Sequence, residues 1–83
     1  SADDWQYVGN VTCTAGESAC IATEDLSARI QRGDSIAIAG ETHVVDTDAS
    51  STLDSQSLPL SSTFKGKSGT HEVYAIGDDT GTY

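Results

Sequence analysis

The residues with the most chemical reach sit in a short N-terminal stretch and one acidic loop. Cys13 and Cys20 are the only cysteines. A metal site would need more ligands close by, and the two histidines, His43 and His71, lie in other segments. Redox exchange would need a tighter C-x-x-C spacing. The intervening Thr14-Ala15-Gly16-Glu17-Ser18-Ala19 can turn near Gly16 and bring the two cysteines across a hairpin. A disulfide is therefore expected, worth about 2 kcal/mol for so short a loop, with two free thiols as the alternative. Asn10-Val11-Thr12 is an acceptor triplet for N-linked glycan. The plainer reading is an exposed strand asparagine.

Asp46-Thr47-Asp48, followed by Asp54, is the calcium candidate, because alternating carboxylates can converge on one ion. It lacks the glycine and terminal glutamate of an EF-hand loop, and a solvated acidic loop is the competing reading. His43, Asp46 and a serine could be combined into a triad, but no nucleophile elbow or Gly-rich oxyanion turn positions them. Asp3-Asp4 and Asp78-Asp79 are paired carboxylates at the two ends, away from the rigid elements that a glycosidase pair requires. Trp5, Tyr7, Tyr74 and Tyr83 could form a face on which sugars stack. The sequence points to no enzyme and to no cofactor.

Charge narrows the partners. Thirteen acidic residues against four basic ones give a net charge of −9. Arg29, Arg32, Lys65 and Lys67 form no stripe, so phosphate backbones and anionic membranes are repelled. The apolar runs are too short to span a bilayer, so no membrane insertion is expected. Methionine is absent and Ser and Thr are abundant, which reads as a processed, secreted or fragmentary chain with an extracellular surface.

The elements that must hold these residues read as β-strands. Eighty-three residues make one domain, 1–83, with a core over about 7–76. Trp5 to Thr14 alternates, with Trp5, Tyr7, Val11 and Cys13 on one parity and Asn10 on the other. Gly9 falls on the apolar parity and suggests a bulge or a close backbone approach. Ser18 to Ala22 returns as the second strand. Thr23-Glu24-Asp25-Leu26 reads as the start of one short helical turn to about Ile30. Ser35 to Ala39 is the clearest strand. A turn at Gly40-Glu41 then pairs Ile38 with His43, Ile36 with Val45 and Ala37 with Val44. Residues 47–56 read as a polar loop. Ser57 to Ser61 is a short strand whose Pro59 suggests an edge. Phe64 anchors the next loop, and His71 to Ile76 is the last strand. The fold class is all-β: a small barrel or sandwich of about six short antiparallel strands with one helical turn.

The run Gly33-Asp34-Ser35-Ile36-Ala37-Ile38-Ala39-Gly40-Glu41 resembles the G-D-x-I-x-I-x-G-x hairpin of a small β-barrel module. Val45, Leu58-Pro59-Leu60-Ser61-Ser62, Phe64-Lys65-Gly66 and Tyr74-Ala75-Ile76 fit its sequel, and Val11 to Gly16 resembles its opening hairpin. Such modules occur in phage tail and fibre proteins and in large secreted surface proteins of algae and other protists. The likeness spans roughly residues 7 to 76 and carries over no catalytic residues. The cysteine pair and the polar insert around 46–56 depart from it, and the sequon with a disulfide favours a secreted eukaryotic setting. The resemblance implies an SH3-like or related barrel used as a structural, often repeated, building block. With the small core, the disulfide and the Ser/Thr-rich acidic surface, a structural subunit of an extracellular fibre is expected, a glycosylated homopolymer joined head-to-tail. Trp5, Tyr7 and Tyr83 are then the assembly contacts, with terminal strands exchanged between subunits. The alternative is a glycan- or host-binding module.

Overall fold

In the computed structural model, residues 5–26, 28–48 and 50–76 are described. Six strands form: β1 Trp5–Cys13, β2 Ala19–Ala22, β3 Ser35–Ile38, β4 Glu41–Val44, β5 Ser57–Pro59 and β6 Gly69–Ile76. They make one antiparallel sheet in the order β4-β3-β6-β1-β2-β5. The single sheet selects the barrel over the sandwich. It curls until its edges touch at a Val45–Leu60 bridge. Backbone bonds from Asp46 N to Pro59 O and from Ser61 N to Val44 O extend that seam. Pro59 lies on β5, an end strand of the order, where a missing N–H is tolerated.

The inward faces fill one core. Val11, Leu26, Ile30, Ile36, Ile38, Val45, Leu58, Phe64 and Val73 are wholly inaccessible. Period-2 alternation brings Ile36 and Ile38 inward from β3. Phe64 anchors its loop as expected, with Phe64 N bound to Glu17 O and Phe64 O accepting from Gly16 N.

Two expectations are corrected. No helical element is seen among the described residues between Thr23 and Ile30. The Leu26 carbonyl accepts from Arg29 N and Ile30 N, and the winding goes no further. One turn cannot recover the cost of nucleation, so the segment follows its two buried side chains, Leu26 and Ile30, instead. The β3–β4 register also differs. Ile38 faces Glu41, Ala37 faces Thr42, Ile36 faces His43 and Ser35 faces Val44. The turn is Ala39-Gly40, with φ of 53° and 80°. A two-residue turn with both residues left-handed matches strand twist, and Gly40 takes the second position at no steric cost. The two-residue shift keeps His43 on the isoleucine face but moves it opposite Ile36.

The facing of β1 is corrected as well. The register with β6 slips between Tyr7 and Gly9, leaving Val8 as the extra residue of a bulge. Val8, Gly9, Val11 and Cys13 are buried, while Trp5 and Tyr7 are exposed. Gly9 adopts φ of 152°, and a Cβ there would stand 2.4 Å from both Glu24 Oε1 and Leu26 Cδ2. Both the bulge and the close approach expected of Gly9 are present. Gly9→Ala should destabilise the domain by roughly 1–3 kcal/mol, read as a lower urea midpoint. An unchanged midpoint would mean that the bulge accepts a side chain.

Candidate functional site on the outer face around Asn10

The bulge assembles a row of outward side chains. In a plain strand, residues three apart lie on opposite faces. The extra residue at Val8 puts Tyr7 and Asn10 on one face as successive neighbours. Opposite Trp5, Tyr7, Asn10 and Thr12 stand Ile76, Tyr74, Glu72 and Thr70 of β6. Trp5 is 42% exposed, Tyr7 50% and Ile76 37%. The Tyr7 and Tyr74 rings meet edge to face with centroids 5.8 Å apart.

Hydrogen bonds order this surface. Tyr7 Oη donates to Asn10 Oδ1 at 2.8 Å. The hydroxyls of Thr12 and Thr70 lie 3.2 Å apart. Tyr74 Oη donates to Glu72 Oε1 at 2.8 Å. That bond, then burial, then the nearby Glu72 charge hold the Tyr74 phenol above its ordinary value, so it stays a donor. A shallow cleft of about 260 Å³ lies beside it, lined by Ala37, Ala39, Gly40, His71, Glu72 and Tyr74.

The edge of β1 is also uneven. β6 pairs with it from Trp5 to Cys13, but β2 reaches only Val11 and Thr12 on the other side. Thr23 N and Oγ1 donate to Asn10 O, and Arg29 Nη1 donates to Val8 O at 2.8 Å. Among the described residues, no strand covers that side of residues 5–7. Tyr83, the third expected assembly contact, lies outside the described residues, as do Asp3-Asp4 and Asp78-Asp79.

The other residues singled out by the sequence fall into place separately. Cys13 and Cys20 form a disulfide with Cα atoms 4.5 Å apart. A disulfide is compatible with an oxidising, extracellular setting. The acidic loop spends its carboxylates on its own backbone. Asp46 Oδ1 accepts from Asp48 N, Asp48 Oδ1 from Ser50 N and Oγ, and Asp54 Oδ1 from Gln56 N. Arg32 ties the loop down through the carbonyls of Asp46, Asp48 and Ser51 and through Ser51 Oγ. Among the described residues, Asp46, Asp48 and Asp54 do not converge into a metal-binding group.

His43 is buried to 3% exposure. Its Nδ1 lies 2.9 Å from Ser62 Oγ and its Nε2 2.8 Å from Glu41 Oε1. The connectivity is that of a serine, an imidazole and a carboxylate in line, but with Glu41 and Ser62 as the partners in place of Asp46. Glu41 Oε1 also accepts from Lys65 N, so the carboxylate joins β4 to the loop beyond the seam. The Glu41-x-His43 spacing carries a signal, since alternation puts both on one face. Nothing local marks Ser62, which arrives only through closure of the sheet.

The chain matches no family model, no curated protein and no solved structure.

The Lys65 amide, followed by His43, holds the Glu41 carboxyl below its ordinary value of 4.5. A depressed carboxylate stabilises the fold above its unfolded value, and that stability is lost as pH falls through the folded one. Thermal midpoints should therefore fall as pH drops below 4.5, and Glu41→Gln should make the fall shallower. Asp48, held low by the Ser50 amide and hydroxyl, supplies a remaining acid dependence. An identical pH profile for Glu41→Gln would remove Glu41 from the account.

Proposed function

We propose that this chain is a structural subunit of an extracellular fibre or filament, joined head-to-tail to copies of itself by exchange of a terminal β-strand. The observation that supports this reading is the side of β1 at Trp5–Tyr7 that no strand among the described residues covers, flanked by exposed Trp5, Tyr7 and Ile76. An open edge of this kind templates pairing with another chain. An added strand gains main-chain hydrogen bonds and covers Trp5 and Ile76, apolar side chains that the chain holds in water. The same contact repeated without closing on itself yields a filament. The disulfide and the sequon accord with secretion and with glycan at Asn10, and the hairpin at Gly33–Glu41 accords with a repeat-type building block. Tyr83 would travel with an exchanged C-terminal segment. No catalytic step is assigned to the chain.

A second reading, a surface recognition module for glycans, draws on the exposed Tyr7 ring and the cleft beside Tyr74. Saturable binding on a glycan array, lost in Tyr74→Ala, would favour it.

Trp5 contributes exposed surface to the folded chain, so Trp5→Ala should shift monomer stability by less than about 1 kcal/mol. It should instead sharply reduce filament length and number in electron micrographs. Filaments of wild-type abundance from the Trp5→Ala chain would refute the strand-edge contact.

A further inference from the structure

We infer that the Tyr7–Tyr74 ring pair is the seat of the first sugar of an N-linked glycan on Asn10; this rests on the reading of the chain as a secreted glycoprotein. Three features converge on one small area. The acceptor Asn10 and the sequon hydroxyl of Thr12 both project from the outer row of β1. On one side of Asn10 along the strand, the next outward residue is half-exposed Tyr7, brought there by the bulge at Val8. Across the ladder, Asn10 faces Glu72, whose carboxylate holds the Tyr74 hydroxyl.

The chemistry suits a pyranose. One face of the sugar ring presents C–H groups, which pack against an exposed aromatic face and remove it from water. The rim of the sugar carries hydroxyls, and Glu72, opposite Asn10, stands beside the rings as a polar partner, with Thr70 further along the same row. The bond from Tyr7 Oη to Asn10 Oδ1 fixes the carboxamide with its oxygen toward the tyrosine. The nitrogen that carries the sugar takes no part in that bond, and the attached ring would fold back from it onto Tyr7. The occupant is covalently tethered, so its effective concentration over the rings far exceeds that of any free ligand. The backbone edge at residues 5–7, which no strand among the described residues covers, lies in the plane of the sheet. A sugar on the outer face leaves that edge open to a neighbouring strand.

The test compares three chains, wild type, Tyr7→Ala and Tyr7→Phe, each made with its disulfide in a bacterial host that adds no N-glycan and in an animal-cell secretory host. Mass spectrometry reads occupancy at Asn10, and melting reads the shift that the glycan confers on each chain. Wild type should gain ~4 °C or more on glycosylation, which for a domain of this size corresponds to about 1 kcal/mol. Tyr7→Phe keeps the ring and should retain the gain, whereas Tyr7→Ala should lose most of it. Nuclear Overhauser contacts from sugar protons to the Tyr7 ring should appear in the glycosylated wild type. An unoccupied Asn10 would overturn both the glycoprotein reading and the seat. An occupied Asn10 with equal shifts in all three chains, and no contact to Tyr7, would overturn the seat alone. Concentration-dependent protection of Tyr7 in the unglycosylated chain, undiminished by glycosylation, would give the face to a second copy instead.

Discussion

One extra residue in β1 governs which way half the molecule faces. The bulge at Val8–Gly9 reverses the alternation of the strand in mid-course. Without it, Val11 and Cys13 could not point inward while Trp5 and Tyr7 point outward. The bulge is held by a single segment. Leu26 and Glu24 press against the space that a Gly9 side chain would occupy, and Arg29 reaches back to the Val8 carbonyl. The segment between β2 and β3 therefore acts as a clasp on β1, which explains why it follows packing rather than helix geometry. Core, outer face and sequon placement all descend from that local irregularity.

The rest of the fold answers a shortage of core. Six short strands with a handful of aliphatic side chains bury little surface, so closure relies on specific fastenings. The disulfide pins β1 to β2. The Val45–Leu60 bridge joins the sheet edges, and Phe64 plugs the end beneath the loop that follows. Beside that seam, His43 meets a hydroxyl on one ring nitrogen and a carboxylate on the other, so a buried polar group is satisfied rather than orphaned. Arg32 does the same for the long acidic loop, satisfying carbonyls that no strand pairs with.

Strand content, the cysteine pairing and the inward aliphatic set were legible because each depends on local alternation or short spacing. Gly9 was legible as an anomaly, since glycine on an apolar parity asks for a reason. Its consequence for Trp5 and Tyr7 was not, because a bulge shifts parity only once the partner strand is known. The hairpin register was missed by two residues because Gly40 fits either position of a tight turn, and Ala39 at positive φ is a choice that the packing of Ile36 against His43 enforces. The serine–imidazole–carboxylate line was invisible in part, as Ser62 is nineteen residues from His43 and joins it only across the seam.

The Trp5–Ile76 pair has a mechanical consequence. These two residues are opposite each other in an antiparallel ladder, so the two ends of the described chain leave from the same corner of the barrel. Tension drawn through both ends would load the β1–β6 hydrogen bonds one after another, as in opening a zip, rather than all together in shear. A domain so arranged yields at low force when pulled by its own ends. If the chain is a fibre subunit as proposed, strength along the fibre would have to come from contacts between neighbours, loaded sideways along a shared strand, and not from the barrel itself.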